Sequence, residues 1–545
     1  MKIRHLGLLL LFLTLATTLS AANSSFIIMH SNDRHGYIEA RKDINTGKPV
    51  AGLDVEATMI NQIRKEALRE RIPTLLVDAG DFFQGTPVVN ETAGEVMVRL
   101  FNELRYDFVT FGNHEFDYGW QKLRKRMDES RFWWLSTTVQ APSLGKRYRP
   151  YLTWSVAGTK VAFLGATTVT TPEKQLTHRI EGMSFHSPYD VLPPVVERLK
   201  RIHGVKIAIL LSHLGYYEDE KFVRAHQCFD VVIGGHSHTA LSNPVKIGKT
   251  WVCQTGASSR FLGVIRVDVA EDGTLADFQS ELREVDRTKY IPDARIAKVI
   301  SSYTKQIDEK LSVIVGTAPT AIRKGVDGGF SPMAQVVAES FRVAAKADIG
   351  LMNTGGTRRG ILQGPVQLKE VQTAVPFRNY VIKLKMTGKQ IKGLIEAATD
   401  GPHVRIPVDK RDLLRQYGIR DFDGLVPQRG STGFLVGGGI QFVYDPRLPK
   451  GKRLLSFTLH GKPIDLERVY TVATNDFLAD GGDGFEGFKE ALAREDTGLL
   501  DAQALQKYFE LKKVVHSPKE ACAINLSFPS VEREYSAAKK IPRLF

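Results

Sequence analysis

Five stretches within the first 240 residues of this chain share one layout: a short apolar run, a turn, and then residues of the kinds that bind metals. The runs at 26–30, 74–77, 108–111, 207–211 and 231–233 read as buried β-strands, because they are short, apolar and bounded by Gly, Pro or polar turns. After them come Asp33-Arg34-His35, Gly80-Asp81, Gly112-Asn113-His114, Ser212-His213 and Gly235-His236-Ser237-His238. The candidate donors therefore sit at strand ends. In an open α/β sheet, ligand sites form at the carboxyl edge of the strands, so segments far apart in sequence converge on one crevice.

At 545 residues the chain exceeds the size at which a single hydrophobic core stops growing, about 250–300 residues, so two domains are expected. A hydrophobic fraction of 43% with 25% charged residues is ordinary globular composition and excludes wholesale disorder. Strand and helix signals alternate from residue 25 to about 285, with a helix predicted over 53–71 between the first two strands. Residues 291–311 have helical spacing of apolar side chains with Asp293 as cap, and read as a linker helix. Beyond it, strands predicted at 313–316, 349–353, 380–386 and 440–444 alternate with helices at 332–345 and 388–399, giving a second α/β domain.

Residues 1–22 carry Lys2 and Arg4, an apolar run over 6–15 and then Ser20-Ala21-Ala22, the layout of a cleaved secretory signal peptide. That run is short for a membrane span, and no later segment approaches 18 apolar residues, so no stable membrane insertion is expected after cleavage. Three cysteines, Cys228, Cys253 and Cys522, exclude a disulfide-built scaffold. Cys228 with Cys253 is the pair expected if one bridge forms, and three unpaired thiols are an equally weighted alternative. The formal charge of +14, or +12 without Lys2 and Arg4, attracts anionic substrates. Basic runs such as Lys122-Leu123-Arg124-Lys125-Arg126 lack aromatic interleaving and read as a solvated helix face, so no nucleic-acid polymer is expected as a partner.

Asp33 and His35 are two residues apart, so on an extended chain both point to one side and can grip one metal. Each donor alone has an ordinary explanation: His213 as a core histidine, Asp81 as a helix cap, Asn113 as a turn residue. Seven of them at successive strand ends are poorly explained that way. Carboxylate, imidazole and amide-oxygen donors without a thiolate suit zinc, manganese or iron better than a structural zinc site. Seven donors also exceed the four that one zinc takes. Two divalent ions bridged by Asp81 are therefore expected, and ions about 3.5–4 Å apart serve the hydrolysis of phosphate esters.

The chain resembles the metallophosphoesterases of the 5′-nucleotidase family over nearly all of its length beyond residue 22. The residues that carry the resemblance are Asn32-Asp33-Arg34-His35-Gly36, the run from Asp78-Ala79-Gly80-Asp81 to Gly85-Thr86-Pro87, Gly112-Asn113-His114-Glu115-Phe116-Asp117 and Gly234-Gly235-His236-Ser237-His238. The resemblance implies an N-terminal four-layer α/β/β/α domain over 23–290, a linker helix over 291–312 and a C-terminal α/β substrate-binding domain over 313–545. It implies that Asp33, His35, Asp81 and His238 hold one ion, and that Asp81, Asn113, His213 and His236 hold the other. It makes His114 and Asp117 a catalytic dyad. An imidazolium beside the scissile group can stabilise phosphoryl oxygens or protonate the departing alkoxide, and a carboxylate three residues on can orient it and raise its pKa.

For the C-terminal domain the resemblance implies two phenylalanines sandwiching a nucleobase, assigned to Phe434 and Phe477, and a sugar-binding carboxylate, assigned to Asp483 in Gly481-Gly482-Asp483-Gly484. Stacking between two rings gives affinity for any base and little discrimination among bases. Arg358 matches a phosphate-contacting arginine, although adjacent Arg359 competes for the role. Asn379 belongs to Pro376-Phe377-Arg378-Asn379, in which Arg378 replaces a glycine of the family pattern. Gly437-Gly438-Gly439 lacks the Lys-Ser/Thr context of a phosphate loop and reads as a turn. The implied protein is a monomeric, secreted hydrolase of the bacterial periplasm that releases phosphate from nucleoside 5′-monophosphates, by attack of a metal-bridging hydroxide, with UDP-sugars as a further substrate class. The alternatives are a 2′,3′-cyclic-nucleotide phosphodiesterase with 3′-nucleotidase activity, a sulfur-ester hydrolase acting on a carrier protein, and a non-catalytic nucleotide-binding protein.

Overall fold

Side chains that alternate along the strands divide between two different cores, and this alternation builds the first half of the molecule. In the strand Ser24–Ser31, Phe26 and Ile28 join Val77, Phe163, Ile209 and Ile233 in a core between two sheets. Met29 of the same strand joins Leu76 and Val109 in a core against helices that contribute Ile60, Ile63, Leu100 and Phe101. On the far side, Leu164, Leu210 and Val232 pack against Leu192, Val196, Leu199 and Phe222 of two further helices. The result is helix, sheet, sheet, helix, as the four-layer expectation has it.

The computed structural model describes residues 24–42, 49–141, 144–175, 177–325, 330–400, 403–405, 424–427 and 433–537. The signal-peptide segment, 1–22, lies outside the described residues. One sheet has seven strands, in spatial order Leu275–Glu284, Phe261–Val269, Ser24–Ser31, Thr74–Asp78, Phe108–Thr110, Trp133–Leu135 and Tyr148–Arg149. The other has six, in order Val245–Ile247, Thr250–Cys253, Val231–Gly234, Ile207–His213, Thr159–Thr167 and Tyr151–Val156. Pairing is parallel from Ser24–Ser31 through Thr74–Asp78 to Phe108–Thr110, and from Thr159–Thr167 through Ile207–His213 to Val231–Gly234. Parallel pairing puts all of these carboxyl ends along one edge of each sheet. The exits after Ser31, Asp78, Thr110, His213 and Gly234 therefore share a rim.

The linker helix runs Ala294–Leu311, and the Asp293 side chain caps it by accepting from the backbone N–H groups of Arg295 and Ile296 at 3.0 Å. Beyond it, a five-stranded sheet is ordered Leu435–Gly438, Ile349–Asn353, Val469–Asn475, Tyr380–Thr387 and Ala493–Leu500. Helices Pro332–Ala344 and Asp501–Lys512 share one core with it, and Gly388–Ala398 shares another with a four-stranded sheet. Gly437 and Gly438 lie in a strand, so the expected three-glycine turn reduces to Gly439 at φ 81°.

All three cysteines are free, so of the two arrangements the unpaired one is found and the Cys228–Cys253 bridge is not formed. Cys253 packs in the core between the sheets, whereas Cys228 packs with the helices on the opposite face of the six-stranded sheet. Proximity in sequence to the same strands does not bring the thiols to one side. Among the described residues, no helix is long and apolar enough to cross a membrane.

Beneath the first donor loop lies a buried ion cluster. The Arg34 guanidinium donates to Glu56 Oε2 at 2.8 Å, Glu56 Oε1 at 2.5 Å, Tyr106 Oη at 2.7 Å and Ser259 Oγ at 3.1 Å. Its Nε lies 3.4 Å from Asp78 Oδ2. Burial pushes the Asp78 carboxyl up to about 7, against the pull of Arg34. This cluster joins the loop after the first strand, the first helix and the end of the second strand. Arg34→Met leaves Glu56 and Asp78 buried without their cation, and it is expected to cost about 3–5 kcal/mol in urea unfolding.

Candidate metal centre and interdomain cleft

The donor loops are held in backbone conformations that most side chains avoid. Asp33, His35, Asp81, His236 and His238 have φ of 49°, 47°, 60°, 71° and 55°. Non-glycine residues persist in this region only where the surroundings over-determine them, and such positions cluster at functional sites. Here the loops fasten one another. Asp33 N donates to Gly80 O at 2.9 Å, His35 N to Asp81 O at 2.9 Å, and Ala79 N to Ser31 O at 2.8 Å. A Cβ on Gly112 would lie 2.1 Å from Asp81 Oδ1, so only glycine lets these two loops touch. Glu115, quoted in a motif above but given no role there, accepts four backbone N–H groups: Asp81 at 2.8 Å, Phe82 at 2.9 Å, Phe83 at 3.0 Å and Gly112 at 2.6 Å. A carboxylate inside a glycine-rich loop was the available signal for it.

The fold brings six of the seven expected donors into contact groups, and Asn113 lines the adjoining cleft. Asp33, His35 and His238 form one group with ligand atoms within 4.8 Å of one another, and Asp81, His213 and His236 form a second. Asp81 also groups with His35 and His114, so it stands between the two. His213 Nε2 lies 3.0 Å from Asp81 Oδ2, His238 Nε2 3.4 Å from Asp33 Oδ1, and His35 Nε2 3.8 Å from Asp81 Oδ2. Asn113 Oδ1 is buried with no hydrogen-bond partner among the described residues. The His213 Nδ1 partner is the Ala79 carbonyl at 2.7 Å, an acceptor, so Nδ1 carries a hydrogen and Nε2 faces the carboxylates.

The charges in this pocket fit a cation. Burial holds the His35, His236 and His238 imidazoles below their ordinary value, which keeps lone pairs available. His213 goes the other way: against its burial, Asp81 and Asp33 raise it to about 10. A proton there supplies positive charge that a metal would otherwise bring. The Arg358 guanidinium supplies more, with Nη2 2.8 Å from His35 Nε2.

Next to the donors, His114 Nδ1 and Asp117 Oδ2 are 2.9 Å apart, and His114 N donates to Asp81 Oδ1 at 2.9 Å. Against burial, Asp117 and Asp81 raise His114 above its ordinary value. A cleft opens here between the two halves of the chain. Asn113, His114 and Asp117 line one wall, and Arg358, Asn379, Phe477 and Asp483 line the other. Asp483 sits at φ 58° and accepts from Asn353 Nδ2 at 2.6 Å.

Arg359 donates to the Lys42 carbonyl at 3.3 Å, away from the cleft, which leaves Arg358 as the arginine at the donors. Arg378 pairs with Glu91 at 3.1 Å and does not line the cleft. Phe434 is a correction. It is fully buried, with its ring 5.6 Å from Tyr444 and 6.1 Å from Phe442 in the core of the second domain. The second aromatic of the cleft is Phe377, whose ring lies 5.6 Å from that of His114, with the Arg358 guanidinium 5.7 Å away. Phe377 stands in a motif read for its neighbours Arg378 and Asn379. Lys174 and Arg179 also line the cleft, and no motif in the sequence marks them.

The profile of calcineurin-like phosphoesterases matches residues 27–240, and that of the 5′-nucleotidase C-terminal domain matches residues 314–490. The chain belongs to the 5′-nucleotidase family of metallophosphoesterases. It is a hydrolase of two α/β domains. The 5′-nucleotidase of Homo sapiens is 26% identical over 546 residues, covering 90% of this chain and 89% of that protein. The trifunctional nucleotide phosphoesterase of Bacillus subtilis is 27% identical over 552 residues, but this chain spans only 34% of its length. A crystal structure of a 5′-nucleotidase precursor from Thermus thermophilus superposes with a TM-score of 0.79 at 26% identity, covering 92% of this chain and 99% of that one. Family membership implies divalent metals, and the clustered Asp and His donors suit them.

Because Asp81 stands between the two donor groups, Asp81→Ala should strip most bound divalent metal, read as metal per chain after dialysis. His238→Ala, which touches one group, should retain part of it.

Proposed function

We propose that this chain is a secreted dimetal phosphohydrolase that releases phosphate from nucleoside 5′-monophosphates, with UDP-sugars as a further substrate class. The observation that carries the reading is one cleft in which the metal donors and the His114–Asp117 pair face Arg358, Phe377, Phe477 and Asp483. The domain division that goes with it is 23–290, a linker over 291–312 and 313–545, after removal of a signal over 1–22 for export to the periplasm as a monomer. The human 5′-nucleotidase named above supports the substrate class by its name and its similarity over both domains.

Asp33, His35, Asp81 and His238 would hold one cation, and Asp81, Asn113, His213 and His236 the other, with zinc and manganese suited to such donors. When bound, the ions supply Lewis acidity at the phosphoryl group and an activated water. The remaining work belongs to side chains. Arg358 can clamp phosphate oxygens through the planar fork of its guanidinium. His114, fixed through Nδ1 by Asp117, keeps Nε2 for the phosphoryl or leaving oxygen and is positioned to give it a proton. Phe377 and Phe477 offer ring faces to the base, and Asp483 accepts from a sugar hydroxyl. Lys174 adds positive charge beside Asp483 and the donors, which favours a phosphate-bearing ligand.

Phosphate release from AMP, UDP-glucose and 2′,3′-cyclic AMP in the presence of manganese, zinc or cobalt tests the reading. Activity on AMP that disappears in Asp81→Ala is the expected result; tight AMP binding without phosphate release would overturn it. Phe477→Ala should weaken nucleotide binding by about 1–3 kcal/mol through lost stacking, read as KM against an unchanged fold. Phe434→Ala should instead cost about 3–5 kcal/mol of stability, the penalty for emptying a core phenylalanine site.

A further inference from the structure

The His114–Asp117 pair is not self-supporting. Asp117 has two carboxylate oxygens: Oδ2 faces His114 Nδ1 at 2.9 Å, and Oδ1 accepts from Gln175 Nε2 at 2.6 Å. The same Nε2 donates to the backbone carbonyl of Asn113 at 2.8 Å. Both partners are acceptors only, so the chemistry fixes which end of the Gln175 amide faces them. Gln175 is buried, at 7% exposure, and its Oε1 has no hydrogen-bond partner among the described residues. An amide buried with one end unmet is costly, by about 1–3 kcal/mol, so the two bonds that it donates have to offset that cost.

We propose that Gln175 is a positioning residue for the dyad, holding the Asp117 carboxylate in the plane that aims the His114 ring and tying that plane to the Asn113 loop. The inference rests on the phosphohydrolase reading above. With both oxygens held, Asp117 cannot turn about its Cβ–Cγ bond without breaking one of its hydrogen bonds. His114 is then confined to one ring orientation with Nδ1 toward Asp117, and its Nε2 stays on the cleft side. The tie to the Asn113 carbonyl sets the dyad at a constant offset from the amide oxygen of Asn113, one of the expected donors. Gln175 follows directly on the short turn Thr171–Lys174, which packs against Gly482–Gly484, the turn that carries Asp483. The positioning group is therefore braced by the substrate-binding domain as well.

The test uses full-length, metal-loaded protein. Gln175→Met keeps the volume and removes the donor, whereas Gln175→Glu sets a second carboxylate against Asp117. With AMP, Gln175→Met should lower kcat about 10- to 100-fold, the usual cost of losing a group that orients a working residue, and leave KM within about threefold. Gln175→Glu should lose more. In an Asp117→Ala background, Gln175→Met should cost nothing further, since the two act as a unit. Independently of turnover, ¹⁵N NMR of labelled histidines should show a single His114 tautomer with Nδ1 protonated in the wild type, assigned against His114→Gln, and a mixture in Gln175→Met. A kcat within twofold of wild type together with an unchanged His114 signal would overturn the proposal. A wild type that releases no phosphate from any substrate would overturn the phosphohydrolase reading instead, and the NMR comparison would then decide the role of Gln175 by itself.

Discussion

Two carboxylates, Asp33 and Asp81, are buried beside each other at the meeting point of two sheet edges, and the site follows from the need to compensate their charge. Ionised carboxylates out of water are tolerated only when paired or bound to a metal. Groups that face them answer this requirement: the imidazoles of His35, His213 and His238, the Asn32 amide, and the backbone N–H groups of His114 and His236, with the Arg358 guanidinium one step further out on His35. Below, the buried Arg34 cluster anchors the loop that carries Asp33, and Glu115 gathers the N–H groups of the loop that carries Asp81. The left-handed backbone at five donor positions is stored strain that these anchors hold in place.

Neither domain completes the cleft alone. The first contributes the donors and the His114–Asp117 pair, and the second contributes Arg358, two phenylalanines and Asp483. The domains also meet outside the cleft, where Asn90 Nδ2 donates to the Pro376 carbonyl at 2.9 Å and Arg378 reaches Glu91. These contacts bracket Phe377, so the position of one aromatic wall depends on how the domains seat against each other. Arg378, which departs from the family pattern, serves the seam between the domains and leaves the cleft charge to Arg358, Lys174 and Arg179.

Much of this was legible in the chain. Short apolar runs ending in Asp, Asn and His at five places specify strands and rim loops, because a period of two and a strand-length limit leave few alternatives. Asp293 as a helix cap was legible for the same local reason. Phe434 was not. An aromatic beside glycines looks alike whether its ring turns outward or inward, and the strand Leu435–Gly438 carries it into the core. The state of Cys228 and Cys253 was left open for a similar reason, since nearness along the chain says nothing about which face of a sheet a thiol occupies. Gln175 left no motif, because its partners Asp117 and Asn113 lie 58 and 62 positions away.

By itself, the sequence determined the layered α/β architecture and the set of metal-type donors, because each depends on local periodicity or on spacing within one loop, whereas the pairing of His114 with Asp117 was implied by the family resemblance. Tertiary structure decided that Phe377 rather than Phe434 lines the cleft with Phe477, that Arg358 rather than Arg359 reaches the donors, and that Gln175 hydrogen-bonds Asp117. Those outcomes depend on ångström-scale distances between segments tens to hundreds of residues apart. Strand pairing and domain seating set such distances, and no local pattern of residues encodes them.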